Sequence, residues 1–145
     1  MKNLILDESL KKFKMISQYL KALIRLGEKS MDEWISPKYF GNKFDVHSST
    51  VTEHLQNMSI LKYVNYKKYK GVRLTQYGQQ QGLLLMRKHR ILEHFFVRYL
   101  NLTKEEACIE AEKIDLFISE SIIDKICAKF SHPKLCPCGY EIFHQ

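Results

Sequence analysis

The sequence lacks an internal repeat, a low-complexity tract and any long uninterrupted run of apolar residues. In its first twenty residues, "MKNLILDESLKKFKMISQYL", charged side chains repeatedly interrupt the apolar ones. This pattern excludes both the core of a signal peptide and a membrane-spanning helix. We therefore expect a cytoplasmic protein that has no membrane as a partner.

Cysteine is absent from the first two thirds of the chain. The four cysteines all fall in the last third, at Cys108, Cys127, Cys136 and Cys138. This distribution is unlike the disulfide framework of a small secreted domain, and a chain of 145 residues can bury a core without such bridges. Metal binding or redox chemistry is the more typical use of cysteines placed in this way.

The sequence also lacks a Ser-His-Asp motif and a nucleotide-binding loop, so an enzyme is the least favoured class. Acidic residues are outnumbered, with 23 Lys and Arg against 16 Asp and Glu and a net charge of +7. This excess favours a polyanionic partner without resembling a disordered basic tail. Nucleic acid is the leading partner on charge, although many basic proteins bind none.

Helices joined by short turns are predicted in the first half of the chain. Residues 10–26 carry apolar side chains at the spacing of an amphipathic helix that ends near Gly27. Ser36 followed by Pro37 is typical of a helix N-cap and first turn, which predicts a short helix through Lys43. After a turn of about four residues, "DVHSSTVTEHLQNMSIL" predicts a second amphipathic helix, so the pair indicates a helix-turn-helix.

The segment "LKYVNYKKYKGVRLT" predicts a β-hairpin, because two β-prone runs flank a loop of Lys, Tyr and Gly. A hairpin directly after a helix-turn-helix is a wing. Thr75 can then cap a long helix over residues 76–100, in which Gly78 and Gly82 are predicted weak points.

Two more helices are predicted after the long one. Thr103 and Glu106 form a capping-box pattern, and a last helix ends near Phe130 before the loop "SHPKLCPCGYEIFHQ". We therefore predict a mainly α protein, with a winged helix-turn-helix DNA-binding domain followed by a helical metal-binding and dimerisation domain. The predicted domains are residues 1–75 and 76–145.

Small hydroxyl side chains at the start of the second helix can reach phosphates and base edges if that end enters the major groove. These candidate DNA-binding residues are Ser48, Ser49, Thr50, Thr52 and Glu53. Helix capping is the alternative explanation for them. The wing adds candidate phosphate contacts at Lys67, Lys68 and Lys70, in a stretch that has no acidic residue.

A possible metal site is indicated by side chains four residues apart on helices. His89 and Glu93 share one helix face, as do Cys108 and Glu112, with Asp115 one turn further. Such a set of imidazole, carboxylate and thiolate suits Zn²⁺ or Fe²⁺. An exposed helix pair and a small core cysteine are the alternatives for the two pairs.

The C-x-C pair at Cys136 and Cys138 is too close for one metal ion to be gripped readily by both thiols alone. The sequence also has no second cysteine pair at zinc-ribbon spacing, which argues against an independent zinc finger. We prefer the interpretation that one of the two thiols contributes to a metal site formed elsewhere in the chain. A redox pair is the alternative.

Taken together, the motifs "SSTVTEHLQNM", "KGVRLTQYG" and "RKHRILEHF", followed by "EEACIEAEKIDLFIS" and "HPKLCPCG", resemble the diphtheria-toxin-repressor family of iron- and manganese-dependent regulators. The resemblance covers nearly the whole chain. It implies a homodimer formed through the C-terminal helices, a palindromic double-stranded DNA operator, and a short form without the SH3-like domain of some members.

The resemblance also implies a ligand set. The ancillary metal site of the family corresponds to His89, Glu93 and Cys108, and Arg90 and Cys136 correspond to its neighbouring anion-binding positions. Cys136 could then complete a His, Glu, Cys, Cys set that favours zinc, with Fe²⁺ and Mn²⁺ as alternatives.

The second family site is degenerate by the same comparison. Its first-helix positions hold Gln18 and Lys21, and its pattern on the later helix reads Glu112, Asp115 and Leu116. Glu112 and Asp115 stay candidate additional metal ligands. A winged-helix regulator controlled by thiol oxidation, or not controlled by metal, is the alternative function.

Overall fold

In this computed structural model, residues 2–27 and 29–144 are described, with side chains for all of them except residues 2–6 and 29. The chain divides into two units between Gly82 and Leu83. The described elements are α1 (Lys2–Arg25), α2 (Lys29–Asp32), α3 (Pro37–Phe44), α4 (Ser48–Ile60), β1 (Val64–Lys67), β2 (Gly71–Leu74), α5 (Gln76–Leu100), α6 (Lys104–Ile114) and α7 (Glu120–Lys129). The predicted mainly helical fold, with its winged helix-turn-helix, is confirmed.

Helix α1 is longer than the predicted helix over residues 10–26, because its first turns lie outside the core. Phe13 is 53% exposed, whereas the side chains from Ile16 onward on the same face are buried. An ion pair of 2.7 Å between Lys11 Nζ and Asp7 Oδ2 spans one turn of the exposed part. Hydrophobic periodicity therefore identified only the part of the helix that packs.

The helix-turn-helix is organised around Tyr19 of α1. Its ring stacks on Phe40 of α3 at 4.8 Å and on Phe44 at 4.9 Å between centroids. The Ser36 side chain caps α3 by accepting a hydrogen bond from the Lys38 amide, as its sequence pattern predicts. These contacts fix the turn that leads into α4.

The wing is a two-stranded antiparallel sheet in which Val64 pairs with Leu74 and Lys67 with Gly71. Ile35, outside the strands, adds a bridge to Val72 through hydrogen bonds of 2.7 and 2.9 Å. A Cβ at Gly71 would lie 2.2 Å from the Ile35 carbonyl oxygen. Only glycine permits this close approach of the two backbones.

Helix α5 begins where Thr75 joins the wing to the helix. Its hydroxyl donates to the Lys62 carbonyl oxygen at 2.6 Å and accepts from the Gly78 amide at 2.9 Å. A Cβ at Gly78 would lie 1.8 Å from the Tyr63 carbonyl oxygen, and one at Gly82 would lie 2.6 Å from Ile24 Cγ1. The two glycines therefore permit close packing, which explains their presence in a helix better than a weak point does.

The second unit has its own core between α5, α6, α7 and the segment that follows. Its buried members are Ile91, Leu92, Phe96, Ala107, Ala111, Ile123, Cys127, Cys136 and Ile142. Thr103 and Glu106 form the predicted capping box at the start of α6, and Ser119 caps α7. In the described part of the chain, no helix combines the length and the apolar character needed to cross a membrane.

Candidate metal centre and DNA-facing surface

His89 lies at the centre of a buried polar cluster, with 1% of its surface exposed. Its Nε2 atom is 3.3 Å from Glu93 Oε1, one turn further along α5, and 3.5 Å from Cys108 Sγ on α6. The ligand atoms of these three residues lie within 4.8 Å of one another. The structure therefore brings together three of the four predicted metal ligands, with Glu93 and Cys108 both facing Nε2 of His89.

Glu93 connects the cluster to the fourth predicted ligand, Cys136. Burial alone would raise the pKa of Glu93, but hydrogen bonds from His89 and from the thiols of Cys108 and Cys136 hold that pKa below its ordinary value. The carboxyl group, only 4% exposed, is thus kept ionised by its neighbours. An ionised carboxylate surrounded by an imidazole and two thiols is a ligand set that suits a divalent metal ion.

The other ring nitrogen of His89 faces two acidic residues of the α6 region. His89 Nδ1 is 2.9 Å from Asp115 Oδ2 and 3.7 Å from Glu112 Oε2. Because a carboxylate only accepts, the Nδ1 atom donates to Asp115. Asp115, fully buried, thereby fixes the ring so that Nε2 points at Glu93 and Cys108.

Cys136 reaches the cluster because the segment after α7 folds back as a tight turn. The Gly139 amide donates to the Cys136 carbonyl oxygen at 2.9 Å, and the Cys136 amide donates to the Tyr140 carbonyl oxygen at 2.8 Å. Arg90 holds this segment, since its Nη1 donates to the Glu141 carbonyl oxygen and its guanidinium lies 5.0 Å from the Phe143 ring. Cys138, by contrast, is exposed.

The predicted DNA-facing side chains lie on the surface of the first unit. At the start of α4, Ser48, Ser49 and Glu53 are exposed, whereas Thr50 and Thr52 are half-buried. The Thr52 hydroxyl donates to the Ser48 carbonyl oxygen at 2.9 Å and so is partly engaged by its own helix. On the wing, the predicted phosphate contacts are exposed: Lys67, Lys68 and Lys70.

Trp34 is part of this surface, although the sequence analysis did not single it out. Lys67 Nζ lies 5.5 Å and Arg73 Cζ lies 4.9 Å from its ring, both within cation–π range. The residue sits before the wing in sequence and reaches it through the bridge of Ile35 to Val72. Local periodicity cannot reveal such a contact between distant segments.

Two models of the iron-dependent repressor family match consecutive parts of the chain. Residues 13–72 match its N-terminal DNA-binding domain, and residues 75–144 match its metal-binding and dimerisation domain. The chain belongs to the iron-dependent repressor family. The predicted resemblance is thereby confirmed, and proteins of this family bind divalent metal ions.

Similar proteins include transcriptional regulators and solved repressor structures. The regulator MntR of Geobacillus kaustophilus is 35% identical over 81 residues, which is 56% of this chain and 57% of MntR. The structure of the manganese regulator SloR gives a TM-score of 0.77 at 32% identity and covers 89% of this chain and 59% of SloR. The structure of ScaR with bound Zn²⁺ gives a TM-score of 0.73 at 30% identity and covers 89% of this chain and 59% of ScaR.

The chain thus spans little more than half the length of these relatives. MntR is described as a transcriptional regulator and SloR as a manganese regulator, neither of them as an enzyme, which agrees with the predicted class.

The second metal site that the resemblance implies was predicted to be degenerate in this chain, and this stays a prediction. Gln18 is half-buried and Lys21 is fully buried on α1, at the positions where the resemblance implies metal ligands. In the second unit, Glu112 and Asp115 instead lie beside His89.

Proposed function

We propose that the protein is a metal-dependent transcriptional regulator that binds double-stranded DNA as a homodimer in the cytoplasm. DNA contacts are assigned to the predicted domain of residues 1–75, and metal binding and dimerisation to residues 76–145. The observation that carries the proposal is the buried cluster around His89, since a charged, ligand-rich cluster is costly in a core unless it binds an ion or is fully paired.

The metal ligands in this proposal are His89, Glu93, Cys108 and Cys136. Two thiolates with one imidazole favour a borderline or soft ion, so Zn²⁺ is preferred, with Fe²⁺ next. Mn²⁺ is the least suited of the three, because it prefers oxygen ligands. An ion bound here would supply positive charge to two thiolates and a carboxylate and so hold α5, α6 and the Cys136 turn together.

Asp115 and Glu112 are assigned a supporting role in the same site. Both carboxylates face His89 Nδ1, and an imidazole that binds an ion through Nε2 keeps a proton on Nδ1 for a hydrogen bond. Asp115 therefore serves as the acceptor that orients the ring. A second ion bound by Glu112, Asp115 and His89 would require that proton to leave, and we regard this as the less favoured arrangement.

The DNA contacts are assigned to the start of α4 and to the wing. Ser48 and Ser49 are exposed at the amino end of α4, where hydroxyl groups can contact base edges and phosphates. Lys67, Lys68 and Lys70 supply charge for the phosphate backbone. Trp34 stiffens the wing by packing against Lys67.

The dimer contact is assigned to an apolar groove on the second unit, with a volume of about 290 Å³. Phe95 and Tyr99 of α5 line it together with Ile122, Ile126 and Phe130 from the α7 region. Tyr99 is 52% exposed and Ile122 is 44% exposed, so the groove presents apolar surface that a partner could cover. Continuity with the family's dimerisation domain supports a second copy as the occupant.

Elemental analysis of the purified protein, followed by DNA-binding titrations with and without the ion found, tests the proposal. We expect Zn²⁺ in the native protein and tighter operator binding when it is present. Cys108→Ser should lower the bound metal, whereas Cys138→Ser, a matched change at an exposed thiol, should not. If the native protein holds no metal and Cys108→Ser alters neither metal content nor DNA binding, the metal-dependent function is wrong.

Control by thiol oxidation is a second candidate function, favoured by one observation. The thiols of Cys108 and Cys136 both donate to the Glu93 carboxylate. Hydrogen peroxide could oxidise the two thiols to a disulfide, with reduction of the peroxide to two water molecules. Loss of two free thiols together with a change in DNA affinity after peroxide treatment of the metal-free protein would support this function over the first.

A further inference from the structure

A second cluster of ligand side chains lies at the end of α7 and shares no residue with the site around His89. The ligand atoms of Cys127, His132 and His144 lie within 4.8 Å of one another. Cys127 Sγ is 3.3 Å from His132 Nδ1 and 3.9 Å from His144 Nδ1. Zn–S and Zn–N bonds of about 2.3 and 2.05 Å in a tetrahedron place sulfur and nitrogen about 3.6 Å apart, between the two observed distances.

The backbone at the end of α7 delivers His132 to Cys127. The helix ends in a Schellman motif, in which the Ser131 amide donates to the Ala128 carbonyl oxygen and the His132 amide to the Cys127 carbonyl oxygen, both at 3.0 Å. Ser131 and His132 have φ values of 57° and 54°, in the left-handed region that favours glycine. This turn of two successive non-glycine residues places the His132 ring beside the Cys127 thiol.

The hydrogen bonding of His144 already selects the tautomer that a metal ligand needs. His144 Nε2 is 3.1 Å from the Pro133 carbonyl oxygen, which can only accept. The proton is therefore on Nε2, and Nδ1 presents its lone pair toward Cys127 Sγ. Metal-binding histidines characteristically donate their other ring N–H to a carbonyl or carboxylate in this way.

The surroundings of Cys127 leave room for one more group beside the three ligand side chains. A cavity of about 490 Å³, lined by Arg87, Asp124, His132 and His144, adjoins the cluster. The Asp124 carboxylate is held by Arg87 at 2.7 Å, which leaves the fourth position to solvent.

We propose that Cys127, His132 and His144 form a second metal site, which takes a zinc-like divalent ion with solvent as the fourth ligand. The ion would fasten residues 132–144, which also carry Cys136, to the end of α7. This inference does not rest on the proposed function, because the two sites use different side chains.

Zinc binding by the full chain tests this site. We expect Cys127→Ser, His132→Ala and His144→Ala each to remove about one Zn²⁺ ion per chain after dialysis, or to lower the affinity for that ion by more than about 100-fold. Even the loss of an outer hydrogen-bond partner of a metal ligand lowers metal affinity by about 10- to 100-fold. Cys138→Ser and His47→Ala, at exposed residues outside the cluster, should retain the wild-type content. Titration with Co²⁺ should show a thiolate-to-metal absorption band that Cys127→Ser diminishes.

His144 is exposed, and glutamine keeps an N–H donor for the Pro133 carbonyl oxygen while it removes the ring nitrogen that faces Cys127; circular dichroism checks that the fold is preserved. If His132→Ala and His144→Gln bind as many Zn²⁺ ions as the wild type, with the same affinities, the second site does not exist. Cys108→Ser separates the two proposals, because it should remove a different ion and leave the one at Cys127 in place. If one of the two proposed sites does not bind zinc, binding at the other can therefore still be measured.

Discussion

The two units of the molecule place their predicted functional side chains in opposite ways. In the first unit, the predicted DNA-facing groups lie mainly on the surface, as with Ser48 and Lys68, and the core around Tyr19 is mainly apolar and aromatic, although Lys21 is also buried. In the second unit, His89, Glu93 and Asp115 are buried within the core. The first arrangement suits a large charged partner such as DNA, whereas the second suits a small ion that neutralises buried charge.

This difference also separates what each unit requires for stability. The first unit depends on close backbone approaches, such as that of Gly78 to Tyr63. The second depends on matching buried donors and acceptors, so that removal of one partner leaves another unsatisfied. Four variants, ordered by expected effect, probe this contrast.

The largest effect is expected for His89→Ala, which removes the central imidazole of the buried cluster. Zinc affinity at that site should fall by more than about 100-fold, because a direct ligand contributes more than its outer partners. His47→Ala, at an exposed histidine of the first unit, is the matched control. Zinc affinity is measured by competition with a chelator. Equal affinities for the two variants would show that the buried His89 is no more a zinc ligand than the exposed His47.

Gly78→Ala should destabilise the protein by about 3 kcal/mol, since the added Cβ collides with the Tyr63 carbonyl oxygen and the backbone must shift. The exposed Gln80→Ala change on the same helix should have little effect. Urea unfolding followed by circular dichroism gives both values. A stable Gly78→Ala variant would contradict the close approach at this position.

Replacement of Lys67, Lys68 and Lys70 by alanine should weaken DNA binding roughly 30-fold at low salt. The slope of log K against log salt should become shallower by about 2.7, as expected for three lost phosphate contacts. A variant with Lys104, Lys113 and Lys134 changed to alanine removes the same charge from the second unit. An identical salt slope for the two variants would show that net charge, rather than the wing, determines binding.

The smallest effect is expected for Thr103→Ala, which breaks the capping box of α6. The loss of the hydrogen bonds with Glu106 should lower the free energy of unfolding by about 1 kcal/mol. Ser121→Ala, at an exposed serine that is not a helix cap, serves as the control. Zinc content should stay unchanged, and a loss of zinc in this variant would mean that the cap also positions Cys108.

The sequence predicted the helix-turn-helix, the wing and the capping box because each depends on residues that are near one another in the chain. Helix α2, with only four residues, is too short to produce a periodic pattern. Asp115 was predicted as an additional ligand. Its hydrogen bond with His89 Nδ1 could not be predicted, because it depends on how two segments distant in sequence pack together.

The Cys127 cluster could not be predicted for a related reason. Its three ligands come together through a Schellman motif made by non-glycine residues and through a return of the chain from Pro133 to His144. Neither feature has a local spacing that indicates metal binding. The observation that the cysteines are concentrated in the last third was the one signal in the sequence that pointed to this region.

The position of Trp34 provides an intrinsic fluorescent probe of the wing. It is the single tryptophan of the chain, and its ring lies within cation–π range of the Lys67 and Arg73 side chains of the wing. Its intrinsic fluorescence therefore reports on the wing without any attached dye. Metal ions added in the absence of DNA should change the emission only if their binding alters the wing, so one cuvette measurement can tell a regulatory ion from a purely structural one.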